Sequence, residues 1–485
     1  MVNAGRRSKC CFTCRQRRVK CDLRKPGCQR CSETGRPCPG YPEAWDIMLR
    51  VQNTYAADRV QTRVEKASAK RREQDRREAS VAVPRGVHIA AEVYSWHYFY
   101  NDYSINSGIP FFSIIPKLYT TSSSACFQEA LQSVTLASLA RQLHQSELMV
   151  RARWHYGKAI QALNIVLNDS ALIADDSVLA ALFLFSLFEM IVLESFETML
   201  SDASLQCYIH FRGAFTLLRW RAERGRGTQL DKHVFDLLCY ICLMSLFVNH
   251  GSNDAKWSTL EESMRPWMHG PFLESTLRRA VNFKRHVRAQ VTTADRHPST
   301  TGVMRLIDDG IAISEALEAA ATSVKSSSNP DLPPHQQPMA FNNMFEVSTK
   351  ATEAIARSLY RTVRYDVIES LLSLRPFVSG DDGRTIDGFG YQYCLSERPI
   401  ILEQLYREID GVLSPDSTRY IMEGKTGMAY RGFGMFFPMV VLLFSSLVGE
   451  DKKAWLQEKL RFVGETTGFG LATWAAGKIN SLRAS

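Results

Sequence analysis

Between Cys11 and Cys38 the chain runs through one short unit twice: a cysteine, two residues, a second cysteine, six residues, a third cysteine. The six thiols are Cys11, Cys14, Cys21, Cys28, Cys31 and Cys38, and six residues also separate the two units. So short a stretch cannot bury enough apolar surface to offset its chain entropy. Its larger apolar side chains are few, with Phe12, Val19, Leu23 and the nearby Tyr41 the main ones. Two residues between thiols let both sulfurs reach one ion from a tight turn, and tetrahedral zinc takes four such donors. Six sulfurs are too many for one ion, yet they fill the eight places of two ions if two of them bridge. The symmetric choice is the first cysteine of each unit, Cys11 and Cys28. Structural zinc contributes on the order of 10–16 kcal/mol at neutral pH, so folding of this head is expected to depend on the metal.

Compartment decides between metal and disulfide. The chain opens MVNAGRRSKCC, without the apolar run of about 7–15 residues that marks a secretory signal. A reducing compartment is therefore expected, where disulfides are disfavoured. Seven of the twelve cysteines fall in the first 38 residues, a clustering that points to metal binding. Cys10 lies off the pattern and reads as a spare thiol. A RING-type ligase would need longer spacings and a histidine, and this stretch has none.

Charge is just as unevenly spread. Residues 1–86 hold 21 Lys and Arg against 9 Asp and Glu, while the remaining 399 residues net to −3. Positive charge confined to one end reads as a polyanion-binding head on a near-neutral body. The two six-residue inserts divide the labour. RQRRVK carries Arg15, Arg17, Arg18 and Lys20, whereas SETGRP carries one cation, one acid, a glycine and a proline. Only the first can form a short basic helix, the candidate reading element. An arginine in the major groove can donate two hydrogen bonds to guanine, about 1–3 kcal/mol of discrimination per good pair.

These six cysteines, the basic run CRQRRVKCD and the loop proline Pro26 resemble the fungal two-zinc, six-cysteine cluster family of transcription factors. The resemblance implies two Zn2+ with Cys11 and Cys28 bridging, double-stranded DNA as partner, and contacts to a CGG triplet from Arg17 and Arg18. Arg15, Lys20, Lys25, Arg6, Arg7 and Lys9 are then expected on phosphates, which position a protein without specifying sequence. Three base pairs cannot mark a site in a genome. The family's common remedy is a coiled-coil dimer after the cluster. Here Met48, Val51 and Tyr55 begin a heptad seam that Asp58, Thr62 and Glu65 interrupt, so a homodimer and a monomer both stay open.

The expected fold is mostly α. Residues 1–40 form the zinc cluster, residues 41–86 a basic linker that can support a helix or a weak coiled coil, and residues 87–485 a large all-helical regulatory domain. Within the linker, KRREQDRRE at Lys70 to Glu78 reads as a nuclear import signal. Helices are expected over FQEALQSVTLASLARQLHQ, WHYGKAIQALNIVLN, DDSVLAALFLFSLFEMIVL and HVFDLLCYICLMSLFV, from apolar residues at helical spacing. FFPMVVLLFSSLVG is expected to start a helix with Pro438 in its first turn. The apolar runs are too short for the roughly 20 residues of a membrane span. KSSSNPDLPPHQQP at 325–338 breaks the pattern as a loop or hinge.

The body carries no GxSxG, HExxH, GxxxxGK or strand-linked GxGxxG, so an enzyme is not expected. Cys239 and Cys242 read as buried core thiols, and His97 and His210 as structural histidines. YGKAIQALNIVLND, DDSVLAALFLFSLFEM and HFRGAFTLLRWRAERG are similar to segments of the helical regulatory domain found behind such clusters, which implies a packing role for Gly213. The leading expectation is a nuclear, sequence-specific regulator of RNA polymerase II transcription, acting with the transcription machinery or co-regulators. The alternative is a zinc-headed scaffold for protein or RNA. The residues identify no small-molecule effector.

Overall fold

In a computed structural model of the chain, the described residues are 10–41, 63–68, 90–104, 109–192, 205–225, 227–248, 273–292, 300–324, 339–341, 344–345, 349–377, 388–414 and 427–482. Arg6, Arg7, Lys9, the first part of the heptad seam, the basic run at 70–78 and the loop at 325–338 lie outside them. Two short helices build the head, α1 (Phe12–Gln16) and α2 (Gln29–Glu33). Residues 63–68 of the linker are helical.

The body opens with α3 (Ala91–Phe99), continued by a π-helical turn over Tyr100–Ser104, and then α4 (Pro110–Thr121), α5 (Ala125–Gln142), α6 (Ser146–Val166) and the single turn α7 (Ser170–Ile173). It continues with α8 (Asp176–Val192), α9 (Leu205–Ala222), α10 (Gln229–Val248), α11 (Ser275–Thr292) and α12 (Thr300–Thr322). The last helices are α13 (Lys350–Ser373), α14 (Gly388–Leu413), α15 (Met428–Phe444), α16 (Glu450–Thr467) and α17 (Gly470–Leu482). No strand occurs among the described residues; an isolated parallel bridge joins Leu273 to Met339. The fold is therefore mostly α, with a cysteine cluster ahead of a large helical body. None of the described helices is long and apolar enough to cross a membrane.

One apolar cluster runs from Ala91 to Ala476. α8 lies deep in it. Asp175 accepts from the Ser177 amide at 2.8 Å, which caps the helix start. Thirteen residues from Ser177 to Met190 on this helix are then buried, with only Glu189 less so. Apolar all round, α8 is a core helix, as its length implied. Cys239 is fully buried on α10, as expected of a core thiol.

α15 departs from expectation. It begins at Met428, ten residues before Pro438, so the proline is interior. A proline there cannot donate to the carbonyl four residues back, and the break is normally disfavoured by about 3 kcal/mol. Tyr240 on α10 supplies the missing donor: its hydroxyl reaches the carbonyls of Phe433 at 3.1 Å and Gly434 at 3.5 Å. Close packing also rests on this helix. A Cβ at Gly432 would stand 2.5 Å from Val463, and one at Gly434 would stand 2.6 Å from Ile355. Gly213 is different, since a Cβ there would meet Leu182 at an ordinary 3.6 Å. Packing at Gly213 therefore has room for a Cβ and does not require a glycine.

Buried charge ties the helices together. Arg361 on α13 bridges Glu408 of α14 at 2.8 Å and Glu318 of α12 at 3.0 Å, while Arg364 reaches Glu318 at 3.0 Å and Glu397 at 2.6 Å. His210 is buried and meets the Tyr156 hydroxyl at 2.8 Å and Glu189 at 3.3 Å. His97 meets the Asn101 side chain at 2.9 Å. Both histidines have structural partners.

Candidate metal centre

The duplicated unit of the sequence is a duplicated fold. In the first unit Cys11 precedes α1, and its sulfur accepts the Cys14 amide at 3.4 Å. In the second, Cys28 caps α2, and its sulfur accepts the Cys31 amide at 3.3 Å. Each helix then closes alike: the Val19 amide bonds the Cys14 carbonyl at 3.1 Å, and the Arg36 amide bonds the Cys31 carbonyl at 3.0 Å. This six-to-one bond ends a helix and calls for a left-handed residue just before the closing amide. Those residues are Arg18 (φ 54°) and Gly35 (φ 63°). A second equivalent pair follows, Leu23 (φ 63°) and Gly40 (φ 85°). The second unit uses glycine at both positions, whereas the first keeps side chains there, at about 1–2 kcal/mol each.

α1 is consequently shorter than the insert suggested. It ends at Gln16, so it takes in only the first two of the six residues between the second and third cysteines. Arg17 and Arg18 lie in the turn past its end, both exposed, and Lys20 and Lys25 are exposed as well. Arg15 belongs to α1. The repeat explains the early stop, because both units must turn at the fourth residue after their second cysteine to carry the third one back.

That turn brings the sulfurs together. Cys11, Cys14, Cys21 and Cys28 form one group and Cys11, Cys28, Cys31 and Cys38 another, with the sulfurs of each group within 4.8 Å of one another. Cys11 and Cys28 belong to both. Sulfur separations are 3.6 Å for Cys11 and Cys28, 3.8 Å for Cys11 and Cys31, and 3.7 Å for Cys14 and Cys28. A disulfide needs about 2.05 Å. The edge of a zinc tetrahedron with bonds of about 2.3 Å is about 3.8 Å, so the donor set fits zinc. Cys10 belongs to neither group.

Electrostatics point the same way. Burial pushes the Cys11 thiol up to about 12 and raises Cys28 too. Burial also pushes on Cys21, but the amides of Cys11 and Leu23 outweigh it and bring that thiol down to about 7. The two shared sulfurs therefore hold their protons unless a cation displaces them. Around the cluster, Asp22 accepts the Gln29 amide at 3.1 Å, and Arg24 donates to the Gln29 side chain at 2.7 Å. The Tyr41 hydroxyl donates to the Arg24 carbonyl at 2.6 Å, and the Phe12 amide reaches the Gly40 carbonyl at 3.4 Å. Those two bonds close the end of the head onto its beginning. The left-handed side chains at Arg18 and Leu23 escaped sequence reasoning, although aligning the two units on their cysteines places them opposite Gly35 and Gly40.

Known proteins resemble this head. Residues 9–46 match the Fungal Zn(2)-Cys(6) binuclear cluster domain family. Arginine metabolism regulation protein II of Saccharomyces cerevisiae is 60% identical over 40 residues, which is 8% of this chain and 4% of that protein. The Aspercryptin biosynthesis cluster-specific transcription regulator of Emericella nidulans is 60% identical over 37 residues, 8% of this chain and 6% of its own. The Phomenoic acid biosynthesis cluster-specific transcriptional regulator of Leptosphaeria maculans is 34% identical over 95 residues, 20% of this chain and 17% of its own. The matches thus span less than a fifth of these relatives, which are named as regulators and not as enzymes. No solved structure matches the chain. The spacing, the paired sulfur groups and the family match converge: the head of this chain is a fungal Zn(2)-Cys(6) binuclear cluster domain, a zinc-binding unit carried ahead of a helical body.

Proposed function

We propose that the chain is a zinc-dependent, sequence-specific DNA-binding regulator of RNA polymerase II transcription that acts in the nucleus. Two zinc ions are held by the six cysteines, with Cys11 and Cys28 as the bridging ligands. The observation that carries this reading is the pair of sulfur groups sharing those two residues, with Arg17 and Arg18 exposed at the end of the helix between them. When bound, the ions neutralise the thiolates and fix the short helices that the chain alone cannot hold. Arg17 and Arg18 then reach guanines of a CGG-type triplet, and Arg15, Lys20 and Lys25, with Arg6, Arg7 and Lys9, neutralise phosphates. The domain limits at residues 40 and 86 follow, and the body at 87–485 is the regulatory part that meets co-regulators. Regulation is also what the names of the relatives whose heads match describe.

Fluorescence anisotropy of the zinc-loaded full chain tests this, on duplexes with CGG triplets at varied spacing and on scrambled controls. Tighter binding to CGG duplexes by at least about tenfold, consistent with one good arginine–guanine pair, is the expected result. The spacing that binds best also reports whether two copies act together. Equal binding to every duplex, or weak dependence on salt, would favour the scaffold reading instead.

A further inference from the structure

α11 stands apart from the rest of the body in its charge. Its 18 residues, STLRRAVNFKRHVRAQVT, hold Arg278, Arg279, Lys284, Arg285 and Arg288 and no acid, although the body as a whole nets to −3. The cations divide by face. Lys284 points inward, buried, where it pairs with Asp366 of α13 and donates to the Phe247 carbonyl at 3.2 Å. Leu277, Ala280, Val281, Phe283 and Val287 share that buried side. Arg278, Arg279, Asn282 and His286 are exposed.

Some exposed cations of the body meet carboxylates, as in Arg407 with Glu403 at 2.7 Å and Arg219 with Glu223 at 2.8 Å, while others, such as Arg212 and Arg305, stand singly among the described residues. Arg278 and Arg279 make no ion pair among the described residues. Glu274, one turn before Arg278, has its carboxyl buried beside Tyr360. Asp308 and Asp309 on the adjoining α12 are exposed and make no ion pair with α11 among the described residues. What distinguishes Arg278 and Arg279 is that they are adjacent and lie on a helix with no acid of its own, so its outer face is positive and suits an anion.

We propose that the outer face of α11 is a second, sequence-independent contact for the phosphate backbone of duplex DNA, on the stretch flanking the site that the head reads. Eight residues of helix span about 12 Å, so Arg278 and His286 can address separate phosphates of one strand. Duplex DNA is favoured over an acidic peptide because the proposed function already brings it to this chain. Once the head is docked, the tether raises the local concentration of phosphate seen by the body, and a weak contact then counts. The inference rests on that reading for its partner only.

The test uses the zinc-loaded full chain with a short duplex holding only the CGG site and a long one with flanks on both sides. Arg278→Gln with Arg279→Gln is expected to weaken binding to the long duplex by about tenfold or more. It should also make the slope of log affinity against log salt shallower by about 2, at about 0.9 per phosphate contact. Binding to the short duplex and the thermal midpoint should stay unchanged, and the Arg278→Lys, Arg279→Lys chain should keep the long-duplex gain. An unchanged slope with CGG preference intact overturns this inference alone. Loss of sequence preference with the slope change still present overturns the proposed reading of the head and leaves this contact standing. Unchanged duplex binding with lost binding to polyglutamate would identify an acidic protein partner and also overturn it.

Discussion

Serine in place of Cys28 is expected to strip both zinc ions from the head, while serine in place of Cys38 is expected to disturb one. Cys28 belongs to both sulfur groups and Cys38 to only one. Cys28 also caps α2 through the Cys31 amide, so its loss removes a sulfur common to both groups and a helix start together. Structural zinc contributes on the order of 10–16 kcal/mol, far more than a head with so few apolar side chains can replace. Metal analysis of the purified full chains reads the result directly. Two zinc ions per wild-type chain, near one for Cys38→Ser and near none for Cys28→Ser is the expected series. Equal retention in the two variants would show that Cys28 is not shared.

The largest effect expected in the body comes from Arg221. Its guanidinium is almost wholly buried at the meeting of α8, α9 and α10 and makes four kinds of contact. It pairs with Asp231 at 2.7 and 3.0 Å, donates to the Ala174 carbonyl at 2.7 Å, meets Thr228 at 3.4 Å, and pairs with Asp176. Asp231 has no solvent exposure. Arg221→Met would leave that carboxylate buried and uncompensated, which typically destabilises by about 3–5 kcal/mol. Adding Asp231→Leu should recover part of the loss, because the second charge then leaves with the first while the Thr228 amide and hydroxyl lose their acceptor. Urea unfolding of the full chain checks both. A loss under about 1 kcal/mol in the single variant would mean that water reaches Asp231 and replaces the pair.

The cysteine cluster was legible because its spacing is local: a tight turn delivers two sulfurs whatever the rest of the chain does. Core helices such as α8 were legible from their length and apolar content. What escaped depended on partners far away in sequence. Pro438 suits a first turn until Tyr240, nearly two hundred residues earlier, supplies a donor to the carbonyls that the proline leaves free. The clamp of Arg361 and Arg364 on Glu318, Glu397 and Glu408 joins three helices through residues that read, one by one, as surface charges. The extent of α1 was misjudged for a local reason. A basic insert between cysteines looks helical, but the repeat requires a left-handed turn at Arg18 that ends the helix.

At that turn, base reading can be separated from zinc binding. The second unit places Gly35 where the first places Arg18, so the first keeps a cation at a position whose backbone favours glycine. Arg18→Gly suits the backbone and removes only the side chain. The relief of strain and the added freedom of the unfolded chain are each about 1 kcal/mol and nearly cancel. Zinc content and unfolding midpoint should therefore match wild type. The measurement is the ratio of affinities for CGG and scrambled duplexes in this variant. A ratio lowered by about fivefold or more, the share of one arginine–guanine pair, in a chain that still holds its zinc, is the predicted result; a ratio equal to wild type would move base reading away from Arg18.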